Sequence, residues 1–191
     1  NAMKKLSEED WGFLEEHARI ATMIPEELKE RFEKIIQVLV WEKNFEACGE
    51  LEEVTREMKI VVMAQAALLL LGRKHDFFPE LRSVLIYPDA YQGKGKDGND
   101  QTRLGESWDS GSVVLSWRSA WKGGENPEDG HNVVIHEFAH QLDQENDRAD
   151  GLPVLRDRKE IGNWAHAFSE AFEEFCKDLD AGRRTVMDPY G

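Results

Sequence analysis

Three features of this sequence predict an α+β fold. Apolar residues recur at helical spacing up to Gly72, and short apolar runs bounded by turn residues follow between 83 and 117. A further apolar stretch, 131–145, then encloses His136-Glu137-Phe138-Ala139-His140. The expected architecture is N-terminal helices, a small sheet and a buried helix packed under that sheet. The length of 191 residues fits one domain with a substantial core, and no repeat or linker divides it. The domain is taken as 4–191, because Asn1-Ala2-Met3 reads as the remnant of a cleaved tag followed by a start methionine.

The elements follow in order. Ser7-Glu8-Glu9-Asp10 forms a capping-box pattern, which opens a helix to about residue 21. Pro25 suits the first turn of a second helix, with Glu26 and Glu27 favourable against its dipole. Phe32, Ile35, Ile36, Leu39 and Val40 carry it to about Phe45. Thr55 caps a third helix, apolar nearly all round over 60–71 and therefore central, which Gly72 ends. Three helices are thus expected before the first strand, 83–87, which stops at Pro88. Residues 92–99, with three glycines among charges, read as a loop. Residues 104–108 and 112–117 read as a hairpin turning at 109–111. A polar loop over 122–130 leads to the helix at 131–145, and a last amphipathic helix spans 160–179.

Charge and hydropathy exclude several classes. With 38 Asp plus Glu against 24 Lys plus Arg the net charge is -14, so no basic face is offered to nucleic acid. Two cysteines, Cys48 and Cys176, are too few for a disulfide framework, and no secretory segment precedes the first helix. The longest apolar run, 60–71, is too short to cross a bilayer. A cytoplasmic location without membrane or nucleic-acid partners is expected.

The chemistry is concentrated at 136–140. Two histidines four apart on a helix lie on one face, where their ring nitrogens can converge on a single ion. The intervening Glu137 stays near the open side of that ion, placed to take a proton from water, as in HExxH metallopeptidases. Zn²⁺ suits such ligands and keeps an open position. A catalytic site needs a third protein ligand. Asp143 follows His140 by one turn on the same face, but it is too short to reach the same ion and is read as supporting the ligands or the helix end. Glu145 and Asp147 read as solvated, His17 and His75 as surface residues, and His166 as structural; no role is assigned to His131. Glu170, Glu173 and Glu174 on the last helix are open as third ligands, although a charged helix face is their simpler role. The strand at 113–117 is a candidate edge for holding an extended peptide by main-chain hydrogen bonds.

The run from Asn132 to Asp143 resembles the signature of the Mlc titration factor A family of zinc-dependent peptidases. The segments 64–72, 86–88, 114–117 and 188–191 match the order and spacing of the same family, so the likeness extends from about residue 25 to the end. The resemblance implies a gluzincin-like, zincin-type fold similar to the catalytic domain of anthrax lethal factor. It implies zinc on His136 and His140, Glu137 as general base, and Tyr190 facing the metal to stabilise the oxyanion. Peptide or protein would be the substrate. Enterobacterial relatives also bind the glucose-responsive repressor Mlc, so sequestration of a repressor is the alternative function. The third zinc ligand of the family is a glutamate a few residues beyond the tyrosine, and this sequence stops at Gly191. That ligand and its C-terminal helices are expected to lie outside it, leaving residues 1–191 weakly active at most, with an exposed face that invites self-association.

Overall fold

The computed structural model describes residues 5–73, 77–94, 100–103, 105–108, 111–128, 130–145, 151, 154–155, 157–183 and 185. The chain opens with α1 (Glu8–His17), where Ser7 and Asp10 form the expected reciprocal cap, and breaks at Ala18 before the short α2 (Arg19–Thr22). The single helix expected to residue 21 is therefore two. Pro25 precedes a 3-10 turn, Glu26–Leu28, which leads into α3 (Lys29–Glu42).

The sequence reading fails at the end of α3. Residues 44–47 are not helical but form strand β1 (Asn44–Ala47), so a strand precedes the third long helix. Lys43 turns extended and its buried amino group donates to the Phe78 carbonyl at 2.8 Å, which draws the chain away from the helix axis. The Asn44 amide then donates to Arg82 O at 2.9 Å. Partners some forty residues ahead thus decide the conformation, and local propensity does not reveal them.

Thr55 caps α4 (Arg56–Leu68), whose residues are buried almost all round, as its composition predicts. It forms the crossover between β1 and β2 (Ser83–Tyr87), which pair in parallel with Phe45 opposite Val84. Of the expected loop at 92–99, residues 92–94 instead belong to β3 (Tyr91–Lys94), which pairs antiparallel with β4 (Asp100–Arg103) apart from the main sheet, and 95–99 lie outside the described residues. Strands β5 (Gly105–Trp108) and β6 (Ser112–Ser116) make the expected hairpin. The main sheet has the order β1-β2-β6-β5, parallel except for β5. Strand β6 is thus internal, and β5 is the edge beside the helix that carries the histidines. The expected docking edge at 113–117 is corrected on that account.

Part of the expected polar loop at 122–130 is instead helical. Ser116 caps α5 (Trp117–Glu125), accepting from the Ser119 amide at 3.3 Å. Helix α6 (Val133–Gln144) carries the HExxH residues and is capped by Asn132. It contacts β5 and β6 of the sheet as well as α4 and α5. Only one face is buried, through Val134, Glu137, Phe138 and Gln141, so the expected buried helix is half-buried. Phe138 anchors that face against Phe78, ring centroids 5.0 Å apart and near perpendicular. A last helix, α7 (Arg158–Asp180), has no buried residue. Among the described residues no helix is long and apolar enough to cross a membrane.

Candidate metal centre

Asn132 begins the site. Its side-chain oxygen accepts from the Ile135 amide at 2.8 Å, satisfying one of the free donors at the start of α6. One turn on, His136 and His140 bring their Nε2 atoms to 3.2 Å from each other with perpendicular rings. Two nitrogens bound to one tetrahedral ion at about 2.0–2.1 Å stand about 3.3 Å apart. The imidazole pair therefore already has the spacing that a shared zinc ion needs. Burial, and secondarily the neighbouring His140, pushes the pKa of His136 below its ordinary value. A lowered pKa favours the neutral ring, the form of imidazole that binds a metal ion.

Glu137 packs beneath the sheet. It is only 6% exposed, and the strand above it is Gly105 of β5. A Cβ at position 105 would fall 2.7 Å from Glu137 Cγ and Oε1 and 2.6 Å from Val133 Cγ2. Glycine is the residue that leaves room for this carboxylate. Sequence reading missed Gly105, because a glycine opening a strand signals close approach only when the opposing side chain is known.

On the histidine side lies a cleft of about 330 Å³, lined by Leu69, Ala139, Leu142, Trp164 and Phe168 as well as the two histidines. Asp143 also lines it, and its Oδ1 accepts from the Gly151 amide at 2.6 Å, so it ties down the chain after α6. Glu145, expected to be solvated, is only 5% exposed in its side chain and makes a two-pronged ion pair with Arg73 at 2.7 Å. His17 is no surface residue either: its ring packs between Phe13 and Trp121, at centroid distances of 4.5 and 4.2 Å. His166 is exposed on α7, 3.6 Å from Glu170, and not packed as expected. His131 is exposed, as are Glu170, Glu173 and Glu174 on the outer helix. Among the described residues no group of three or more His, Cys, Asp or Glu could hold a metal. His75, Asp147 and Tyr190 lie outside the described residues.

The family model for glucose-regulated metallo-peptidase M90 matches residues 1–191. The chain belongs to this family. M90 membership brings a metallopeptidase-type fold to the site just described and implies a metal cofactor. An uncharacterized protein of Synechocystis is 36% identical over 172 residues, covering 85% of this chain and 62% of that protein. The Mlc titration factor A of Cronobacter sakazakii is 29% identical, over 69% of this chain and 51% of its own length. That of Escherichia fergusonii is 38% identical, over 56% and 43%. The matches to these three M90 relatives thus span between 43% and 62% of their lengths.

Proposed function

We propose that residues 4–191 form a zincin-like domain of a zinc-dependent, gluzincin-type peptidase, with a fold similar to the catalytic domain of anthrax lethal factor. The observation that carries this reading is the 3.2 Å convergence of the His136 and His140 Nε2 atoms beside the buried Glu137. His136 and His140 are the proposed metal ligands. A zinc ion held by His136 and His140 would supply Lewis-acid polarisation of the scissile carbonyl and a lowered pKa for water. Glu137, fixed beneath β5, accepts the proton from the attacking water and passes it to the leaving amine. Tyr190 donates a hydrogen bond to the oxyanion. An extended peptide adds along the outer side of β5, the last strand in the sheet order among the described residues. The apolar cleft walled by Trp164 and Phe168 lies on the histidine side of α6. The cytoplasm is the proposed location, and the net charge of -14 argues against nucleic acid as a partner.

A second reading is favoured by the names of the relatives, Mlc titration factor A. On that reading the protein binds and sequesters an Mlc-like transcriptional repressor, and catalysis is secondary. One substitution separates the two. Glu137→Gln in the full-length protein is expected to retain about one zinc per chain and any repressor binding, while peptide hydrolysis, sensitive to chelators in the parent, is almost abolished. Parent-like hydrolysis by that variant would remove the mechanism.

A further inference from the structure

Helix α6 is held at both ends by side chains from a single segment, residues 65–73. At its start, Gln65 is fully buried within the apolar stretch of α4 that begins at Ile60. Its Nε2 donates to Val61 O at 3.1 Å and Ala120 O at 3.2 Å, and its oxygen accepts from Asn132 Nδ2 at 2.8 Å. Asn132 Nδ2 also donates to Gly123 O at 2.9 Å, while Asn132 Oδ1 caps α6. Helix α5 passes so close that a Cβ on Gly123 would lie 3.0 Å from Asn132 Cα. At the other end, Arg73 grips Glu145, the residue that ends α6, with both nitrogens at 2.7 Å. His136, Glu137 and His140 all lie between these two grips.

Apolar packing would bury α6 equally well, but it is non-directional and leaves a helix free to slide or turn by small amounts. A metal site tolerates only about 0.5 Å and 10–20° of such error. A buried glutamine has to have its amide satisfied to be tolerated at all, and here every contact of Gln65 runs to its own helix, to α5 or to the cap of α6. We propose that Gln65 and Arg73 are positioning residues, which fix the rotation and axial place of α6 so that the two imidazoles converge. This rests on the reading that His136 and His140 hold a metal.

The test uses the full-length protein and two readouts besides activity: zinc affinity by competition with a chromophoric chelator, and the visible spectrum of bound Co²⁺. Gln65→Met and the paired Arg73→Met/Glu145→Met remove each grip without stranding a buried charge. Arg56→Met is the control, because it breaks a comparable ion pair, Arg56 to Asp10 at 2.8 Å, far along α4 from the site. Each grip variant is expected to remain folded by circular dichroism, to bind Zn²⁺ about tenfold more weakly or worse, and to show a changed Co²⁺ spectrum. The control is expected to lose stability with affinity and spectrum unchanged. If Gln65→Met does not fold, Asn132→Ser keeps a capping oxygen but drops both amide donors, and the same weakening is expected of it. Parent-like affinity and spectrum in the grip variants would overturn the proposal alone. A parent that binds no Zn²⁺ would overturn the metal reading, and the proposal with it.

Discussion

Helices α6 and α7 both carry an apolar stripe, yet they have opposite surroundings. One face of α6 is packed: Val134 and Phe138 are fully buried, Phe138 against Phe78, and the helix contacts both strands and helices. Helix α7 presents Trp164, Phe168 and Phe172 with 38%, 60% and 57% exposure, and only Trp164 and Phe168 reach the cleft beside the histidines. An amphipathic pattern therefore gives the orientation of a face but not whether something covers it. The proposed metal ligands and base, His136, His140 and Glu137, sit on the helix whose position the core dictates.

The largest expected effect tests that contrast through stability. Phe138→Ala is expected to cost about 3–5 kcal/mol in urea unfolding, against less than about 0.5 kcal/mol for Phe168→Ser. Similar losses from the two would mean that α7 is packed as tightly as α6. Next in size is Gly105→Ala, which inserts a methyl group where the Glu137 carboxylate lies. Turnover is expected to fall about a hundredfold, roughly 2.7 kcal/mol, with zinc content unchanged. Loss of metal instead would show that Gly105 serves the histidines and not Glu137.

The smallest effect is at α1. Burial alone would raise the Asp10 carboxyl, but hydrogen bonds from Arg56 and Ser7 outweigh it and leave its pKa below the usual carboxylate value. A carboxylate held low stabilises the fold above its unfolded pKa of about 3.9, and that contribution is lost as pH falls through the lower folded value. Asp10→Asn is therefore expected to cost about 0.5–1 kcal/mol at pH 7, with the difference from the parent vanishing in strong acid. A difference that persists there would assign the effect to the capping box and not to charge.

The helical periodicity of α3, the all-round apolar character of α4 and the HExxH spacing on α6 were legible because each is local, repeating within one or two turns. Strand β1 and the β3–β4 pair were not, since Asn44 and Gln92 take their conformation from partners at Arg82 and Thr102. Helix α5 was hidden by Gly123 and Gly124, which read as loop residues but leave room for the Asn132 cap and for Gln65. Glu145 and His17 were misread for one reason: a polar residue in a polar stretch looks solvated until Arg73 or Trp121 is brought beside it. Within the candidate site, His136, Glu137 and His140 could be named from spacing alone, whereas Gly105, Gln65 and Arg73 became visible only through contacts across the fold.

The two grips on α6 join residues 67 and 72 positions apart. Contacts of that span form only after long loops have closed, and chains dominated by them fold slowly. In a refolding experiment, helical signal is expected to appear first and tight zinc capture last, with the delay set by the docking of residues 65–73 onto α6. The ion would then arrive at a frame already built, so that metal withdrawn from the mature protein could be returned without unfolding it.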